Sequence, residues 1–223
     1  MERIQNYFSQ FAQLELDPEH DAEIERYEVE QAALERAERF KNSGVPERYQ
    51  RESLETYKAE TEPQKKLIAT VRDFLGKIKR RLFRSLCMLG SAGTGKTHLA
   101  CALIKEYGGK YRTAPDIVEE LRRAKSFTAH ETEEQIVNYY GGLPLLVIDE
   151  IGRGFSATDE KYTLYQILNA RYNTRKPTVL ISNFNKADFL QYVGVAAADR
   201  LVESADIVEI EGASYRRALR GQV

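Results

Sequence analysis

Apolar residues fall along this chain in two different patterns, a helical period and short unbroken runs. Near the N-terminus Ile4, Tyr7, Phe8, Phe11 and Leu14 fall three or four apart, which aligns them on one face of a helix. Asp17-Pro18 then supplies an N-cap with proline at the first helical position. A charged helix is predicted from there to about residue 42. It should stop at Ser43-Gly44-Val45-Pro46, with Gly44 as C-cap and Pro46 barring continuation. Residues 46–64 are polar and turn-rich and read as a linker or an entry segment. From about Pro63, Leu67, Ile68, Val71, Leu75 and Ile78 share a second helical face. Beyond the basic cluster Lys77, Lys79, Arg80, Arg81 and Arg84 the pattern changes, and short apolar runs alternate with helical ones. Strands are expected at 86–89, 110–113, 143–148, 178–182 and 206–210. Helices are expected at 96–107, 116–125, 132–140, 159–174, 186–192 and 196–204. Such alternation implies the α/β class: a parallel five-stranded sheet flanked by helices, with a small helical segment in front of it.

Composition adds limits. At 223 residues there is room for one such domain and a smaller appendage, and a hydrophobic fraction of 42% suits a globular core. No stretch approaches the roughly 20 apolar residues that a membrane span needs. Met1-Glu2-Arg3-Ile4-Gln5 lacks a signal-peptide pattern, so a cytoplasmic location with no membrane partner is expected. Cys87 and Cys101 lack CxxC spacing and the three histidines are scattered, which argues against a metal site or a disulfide framework. Both cysteines read as small buried apolar residues. The net charge of −1 conceals an asymmetry. Residues 1–60 hold 8 Lys/Arg against 15 Asp/Glu, a net of −7, whereas 61–223 hold 25 against 19, a net of +6. The chain thus divides near residue 60 into an acidic helical leader and a basic body, which suggests two unlike partners, one of them a polyanion. The leader's apolar stripe has two compatible readings, packing within a small helical domain and docking on a partner protein.

Gly90-Ser91-Ala92-Gly93-Thr94-Gly95-Lys96-Thr97 is a complete G-x-x-x-x-G-K-[ST] phosphate loop. An apolar run precedes it and a predicted helix follows, which is the context the motif requires. Backbone N–H groups can curl around a phosphate there, and the helix points its N-terminal dipole at the same anion. Lys96 would reach the outer phosphates and the Thr97 hydroxyl would ligate Mg²⁺, so ATP and Mg²⁺ are the expected cofactors. The eight motif residues and the following His98 form the expected nucleotide-contacting set. Leu145-Leu146-Val147-Ile148-Asp149-Glu150 is an apolar run ending in two carboxylates, as a buried parallel strand would be, and its carboxyl end is where α/β sheets place ligands. Asp149 would help hold Mg²⁺, and Glu150 would deprotonate a water for attack on the γ-phosphate. A solvated turn explains the same pair unless the phosphate loop lies on a neighbouring strand. A Glu beside the Asp also favours hydrolysis over phosphoryl transfer to a metabolite.

Taken in order, GSAGTGKTHLACAL, LLVIDEIGRG, NARYNTRKPTVLISN, ADRLVE and GASYR resemble the AAA+ ATPases of the DnaC/IstB type, the bacterial and phage helicase loaders and transposition helper ATPases. The resemblance covers roughly residues 65–220 and leaves the first 60 uncovered. It implies an AAA+ P-loop NTPase core in 61–223 with ATPase activity. By its place in the motif order Asn183 would be the sensor-1 residue, set against the γ-phosphate and the attacking water. Arg200 would be the arginine finger that reaches a neighbouring subunit's site. Arg216 would be the sensor-2 arginine of its own subunit, with Arg217 beside it as the alternative. A finger supplied in trans requires head-to-tail subunits, hence self-association into a ring or spiral. With the chain ending at Val223, a C-terminal lid is expected to be a single short helix. In such loaders the stretch between the second and third strands is a helical insertion along a single-stranded DNA path. Here residues 114–142 contain Arg122, Arg123, Lys125 and Phe127, cations for phosphates with an aromatic for base stacking. A solvated basic helix end with Phe127 in the core fits the same residues.

The function so implied is ATP-dependent loading of the replicative DNA helicase onto single-stranded DNA. Residues 1–60 would hold the helicase, and hydrolysis would act as the release switch. The alternative is a transposition helper ATPase that binds target DNA and recruits a transposase. A small-molecule kinase is disfavoured by the Asp149-Glu150 pair and by the ordered Asn183, Arg200 and Arg216. A nucleotide-dependent binding module stays open, because intact motifs do not set a rate.

Overall fold

The computed structural model describes residues 18–126, 130–154 and 156–212. The N-terminal stripe, Phe127, Arg216 and Arg217 lie outside the described residues. The chain forms two compact units, Met1–Arg39 and Phe40–Val223. Helix α1 (Pro18–Lys41) supplies the described part of the first, and its Ile24, Tyr27, Val29 and Leu34 are all exposed.

In the second unit β1 (Ser85–Gly90), β2 (Lys110–Thr113), β3 (Leu146–Ile151), β4 (Thr178–Ser182) and β5 (Ala205–Ile210) form one sheet in the order β2-β3-β4-β1-β5. Every adjacent pair is parallel. Successive strand residues alternate between the two faces. Leu86, Met88, Val147, Val179 and Ile181 pack with α2 (Glu62–Lys79) and α3 (Lys96–Tyr107). Cys87, Leu89, Leu146, Ile148 and Leu180 pack on the other face. There they meet α4 (Ala114–Ala124), α5 (Glu133–Gly142), α6 (Ala157–Asn173), α7 (Lys186–Val193) and α8 (Val195–Ser204). With both faces covered, β1 is buried at each position, which is why its sequence reads as an unbroken apolar run. Cys87 and Cys101 are buried free thiols, and desolvation pushes Cys87 up to about 12. They serve as small apolar residues.

Hydrogen-bonded caps set the helix starts. Thr113 Oγ1 accepts the Asp116 N–H at 3.2 Å, Ser156 Oγ accepts that of Asp159 at 3.3 Å, and Asn185 Oδ1 accepts that of Asp188 at 2.8 Å. Helices α4 and α6 therefore begin two residues before the expected positions 116 and 159. A helix starts at its cap, while its first polar–apolar alternation becomes visible a turn later.

Three expectations change. The strand placed at 143–148 is Leu146–Ile151, because α5 runs to Gly142 and Leu143 is its C-cap. Of the two readings of 46–64, the segment is an entry segment packed on the body and not a linker. Ser43 O accepts the Tyr111 N–H at 2.8 Å, and Val45 and Leu54 are buried in the cluster formed with α2 and α3. The compact body accordingly begins at Phe40, not at residue 61. Finally, β4 separates β1 from β3, so the carboxylate strand is not the immediate neighbour of the phosphate-loop strand. The two loops meet across the end of β4.

Candidate nucleotide-binding site

Strands β1, β3 and β4 end at one cavity of about 430 Å³. Residues 92–98 of the phosphate loop and α3 line it, with Asp149 and Glu150 from β3 and Asn183 from just beyond β4. The fold thus assembles the phosphate loop, both carboxylates and the asparagine from three separate stretches of sequence. Gly90 and Ser91 do not line the cavity. Their carbonyls instead accept from Lys96 Nζ at 2.8 and 2.7 Å, which holds the buried ammonium within the loop.

Asp149 is buried and its carboxylate is fully engaged. Oδ2 accepts from Thr97 Oγ1 at 2.7 Å and from the Tyr111 hydroxyl at 3.0 Å, while Oδ1 accepts the Glu150 N–H at 2.6 Å. Burial and the Asp149 charge push the Tyr111 phenol far above its ordinary range, so it remains a donor. Glu150 is exposed to the cavity and lies at φ +59°, in the left-handed region, at a register shift between β3 and β4. A bulge at a strand end re-aims one side chain, and here it sends successive carboxylates in different directions. A glutamate held there is strained backbone of the kind that gathers at working sites.

The remaining wall comes from the segment that sequence reasoning took for a linker or an entry segment. Tyr57 donates its hydroxyl to Thr94 O at 2.9 Å, and its ring packs edge-on against His98 with centroids 5.6 Å apart. Gly95 has to be glycine here, since a Cβ would lie 2.4 Å from the Tyr57 ring. His98 lines the cavity, yet its ring is turned to this segment: Nε2 is 2.9 Å from Ser53 O and Nδ1 3.4 Å from Glu52 Oε2. Arg48, Lys58 and Gln64 line the same side. Tyr57 and Tyr111 were missed because neither belongs to a periodic pattern. The one signal for Tyr57 was an aromatic in an otherwise polar stretch.

The other expected residues lie elsewhere. Arg200 is on α8, outside the residues lining this cavity, with its guanidinium 5.8 and 5.6 Å from the ring centroids of Tyr165 and Tyr172. Arg122, Arg123 and Lys125 are exposed at the C-terminal end of α4. Each faces a carboxylate: Arg122 meets Asp159 at 2.9 Å, Arg123 meets Glu119 at 3.0 Å and Lys125 meets Glu133 at 3.7 Å. Helices α4 and α5 of the expected insertion bury Ile117, Leu121, Ile136 and Tyr140 against the body.

Sheet order, phosphate loop and the paired carboxylates define a P-loop ATP-binding protein with an AAA+ core. The chain belongs to the family described as IstB-like ATP binding protein, whose pattern matches residues 18–222. The replicative helicase loader DnaC of Escherichia coli is 31% identical over 185 residues, covering 78% of this chain and 75% of that protein. Among solved structures, the DnaC helicase loader superposes with a TM-score of 0.66 at 23% identity, over 74% of this chain and 100% of that one. The replication initiator DnaA bound to AMPPCP and single-stranded DNA gives 0.61 at 22%, over 80% and 55%. Both structures share the fold described above.

Proposed function

We propose that this chain is an ATPase that loads a replicative DNA helicase onto single-stranded DNA. One observation carries the reading: 31% identity to a replicative helicase loader over three quarters of that protein's length, in a chain whose nucleotide site is intact. Glu150 is the general base that takes the proton of the attacking water, and Asn183 orients that water. Lys96 binds the outer phosphates. Thr97 and Asp149 place two hard oxygen donors 2.7 Å apart, a set that fits Mg²⁺, which when bound neutralises charge on those phosphates. Arg200 serves the site of a neighbouring subunit, and Arg216 contacts phosphate in its own. Supplying Arg200 in trans requires head-to-tail assembly into a ring or spiral.

The acidic leader holds the helicase. Arg122, Arg123, Lys125 and Phe127 contact the single strand. Exposed ion pairs are worth about 0–1 kcal/mol, so the three cations of α4 can exchange their carboxylates for DNA phosphates at little cost. Binding is then salt-sensitive through counterion release.

The test is unwinding by the cognate hexameric helicase on circular single-stranded DNA coated with single-strand-binding protein. Helicase alone should stall, and adding this chain with ATP should start unwinding. Absence of any stimulation overturns the reading. The family match itself favours a second possibility, a transposition helper that marks duplex target DNA. Preference for duplex over single strands at matched salt, with no effect on the helicase, selects that one.

A further inference from the structure

The loop after β3 carries a cation that the motif order does not use. Arg153 lies three residues beyond Glu150 and lines the same cavity as Lys96, Thr97, Asp149, Glu150 and Asn183. It is exposed, and among the described residues no carboxylate pairs with it. Its N–H closes a tight turn onto Glu150 O at 3.1 Å, so both side chains leave one turn of backbone.

That backbone is fixed on both sides by one buried group. Glu160, on α6, has no solvent exposure. Its Oε1 accepts the Gly152 N–H at 2.6 Å and its Oε2 accepts the Gly154 N–H at 2.9 Å, the residues immediately before and after Arg153. The fit is close, since a Cβ on Gly154 would lie 2.4 Å from Glu160 Oε2. Tyr192 of α7 completes the clamp. Its phenol is pushed up to about 12 by burial and by the Glu160 charge with which it hydrogen bonds. A buried carboxylate is costly unless its oxygens are satisfied. Here they are satisfied by the loop itself, whose only charged side chain is Arg153. A rigid supporting shell of this kind positions the group it presents.

We propose that Arg153 is a phosphate-contacting residue of the nucleotide site, supplied in cis on the γ-phosphate side, and that Glu160 is the positioning residue that presents it. This rests on the ATP-site reading above. The guanidinium fork matches phosphate oxygens in a bidentate way that a lysine does not. Its loop continues from Glu150, and it shares the cavity with Asn183, the two residues assigned to the water that attacks the terminal phosphate.

Titrating the full chain with ADP and with AMPPCP tests the proposal. Arg153→Ala should weaken AMPPCP binding roughly tenfold, the scale of one lost charge-assisted hydrogen bond, and leave ADP affinity unchanged. Arg153→Lys should recover part of the loss. Glu160→Gln keeps the side chain's shape but turns one acceptor into a donor facing a backbone N–H. It should reproduce the selective AMPPCP loss while its ADP affinity stays at the parent value. Should Glu160→Gln fail to fold, the Arg153 variants still decide. Parent-like AMPPCP affinity in Arg153→Ala, or an equal loss for ADP, overturns the proposal. If instead the parent binds neither nucleotide, or Lys96→Ala binds both as the parent does, the ATP-site reading itself has failed.

Discussion

Thr97 donates its hydroxyl proton to Asp149 Oδ2 across 2.7 Å, tying the helix at the phosphate loop to a strand two places away in the sheet. Tyr111 donates to the same oxygen from the sheet's edge strand. The carboxylate is therefore aimed by the protein's own hydrogen bonds, and preorganised groups need not reorganise during a reaction. Thr97→Ala and Asp149→Asn should each weaken nucleotide binding about tenfold when Mg²⁺ is present, the scale of a lost interaction with a charged group. With Mg²⁺ chelated, both should bind as the parent does. Titration in the two buffers checks this, and a loss of equal size in both would remove the pair from the metal site.

Glu150 offers a sharper separation of binding from chemistry. Lys96→Ala should remove most nucleotide affinity, because the ammonium is the cation seated inside the loop. Glu150→Gln should keep affinity and lower turnover by roughly 10²–10⁴, the usual worth of a positioned general base. The amide preserves shape and cannot take the water's proton. Phosphate release measured beside binding decides, and parent-like turnover in Glu150→Gln would clear Glu150 of the role.

The boundary between the two units makes a third prediction. A chain starting at residue 40 should still bind nucleotide, since Val45, Leu54 and Tyr57 remain to pack on the core and the loop. A chain starting at residue 61 should lose that binding, or fold poorly, because Tyr57 no longer holds Thr94 and the cavity loses a wall. Nucleotide affinity and a thermal melt of both truncations give the answer. Equal behaviour would return residues 40–60 to the status of a linker.

What the sequence made legible was whatever repeats or sits in a motif. The unbroken apolar runs of β1 and β4 and the apolar face of α2 follow from burial, so the layers and five strands could be read directly. Phosphate loop, Asp149 and Glu150 were likewise legible, because their spacing is dictated by the phosphate they surround. Tyr57, Tyr111 and Glu160 were not. Tyr57 on Thr94 and Tyr111 on Asp149 act through contacts distant in sequence, and Glu160 reaches back onto the loop that precedes its own helix. Such residues satisfy no local period, and only the folded chain brings them to their targets. The linker reading failed for a related reason. Leu54, with the partly buried Tyr49, Tyr57 and Ala59, is too irregularly spaced to form a pattern, yet together these side chains fasten the segment to the core.

A pH dependence follows from Asp206 on β5. Burial raises its carboxyl, but the hydrogen bonds from Arg84 at 2.8 Å and Lys77 at 2.9 Å outweigh that and leave it below the ordinary carboxylate value. A group whose folded pKa is depressed contributes stability that is complete above its unfolded value, about 4. That contribution is lost as pH falls through the lower folded value. Asp206→Asn should therefore cost about 1–2 kcal/mol at pH 7 and progressively less below pH 4. Denaturant melts of parent and variant across that range test the sign. A gap that does not narrow toward acid would show that the ion pairs are not its source.

Arg200 gives the strongest test of assembly. Its guanidinium rests beside Tyr165 and Tyr172 and donates to Ala196 O at 2.8 Å, all on its own α6 and α8. Exposed cation–π contacts are worth about 0.5–1 kcal/mol each, so this seat is easily left for a phosphate on an adjoining subunit. Arg200→Ala should bind nucleotide like the parent, yet lose turnover by up to about 10³–10⁵, the range for an arginine finger in related phosphoryl transfer. Mixing it with Lys96→Ala separates cis from trans. Each chain alone is inactive, one lacking the finger and the other lacking the phosphate-binding lysine. In a mixed assembly, an Arg200→Ala subunit still holds nucleotide and can receive the intact finger of a Lys96→Ala neighbour. Turnover should reappear on mixing and peak near equal proportions. If every ratio stays inactive while the parent assembles and turns over under the same conditions, the finger does not act in trans.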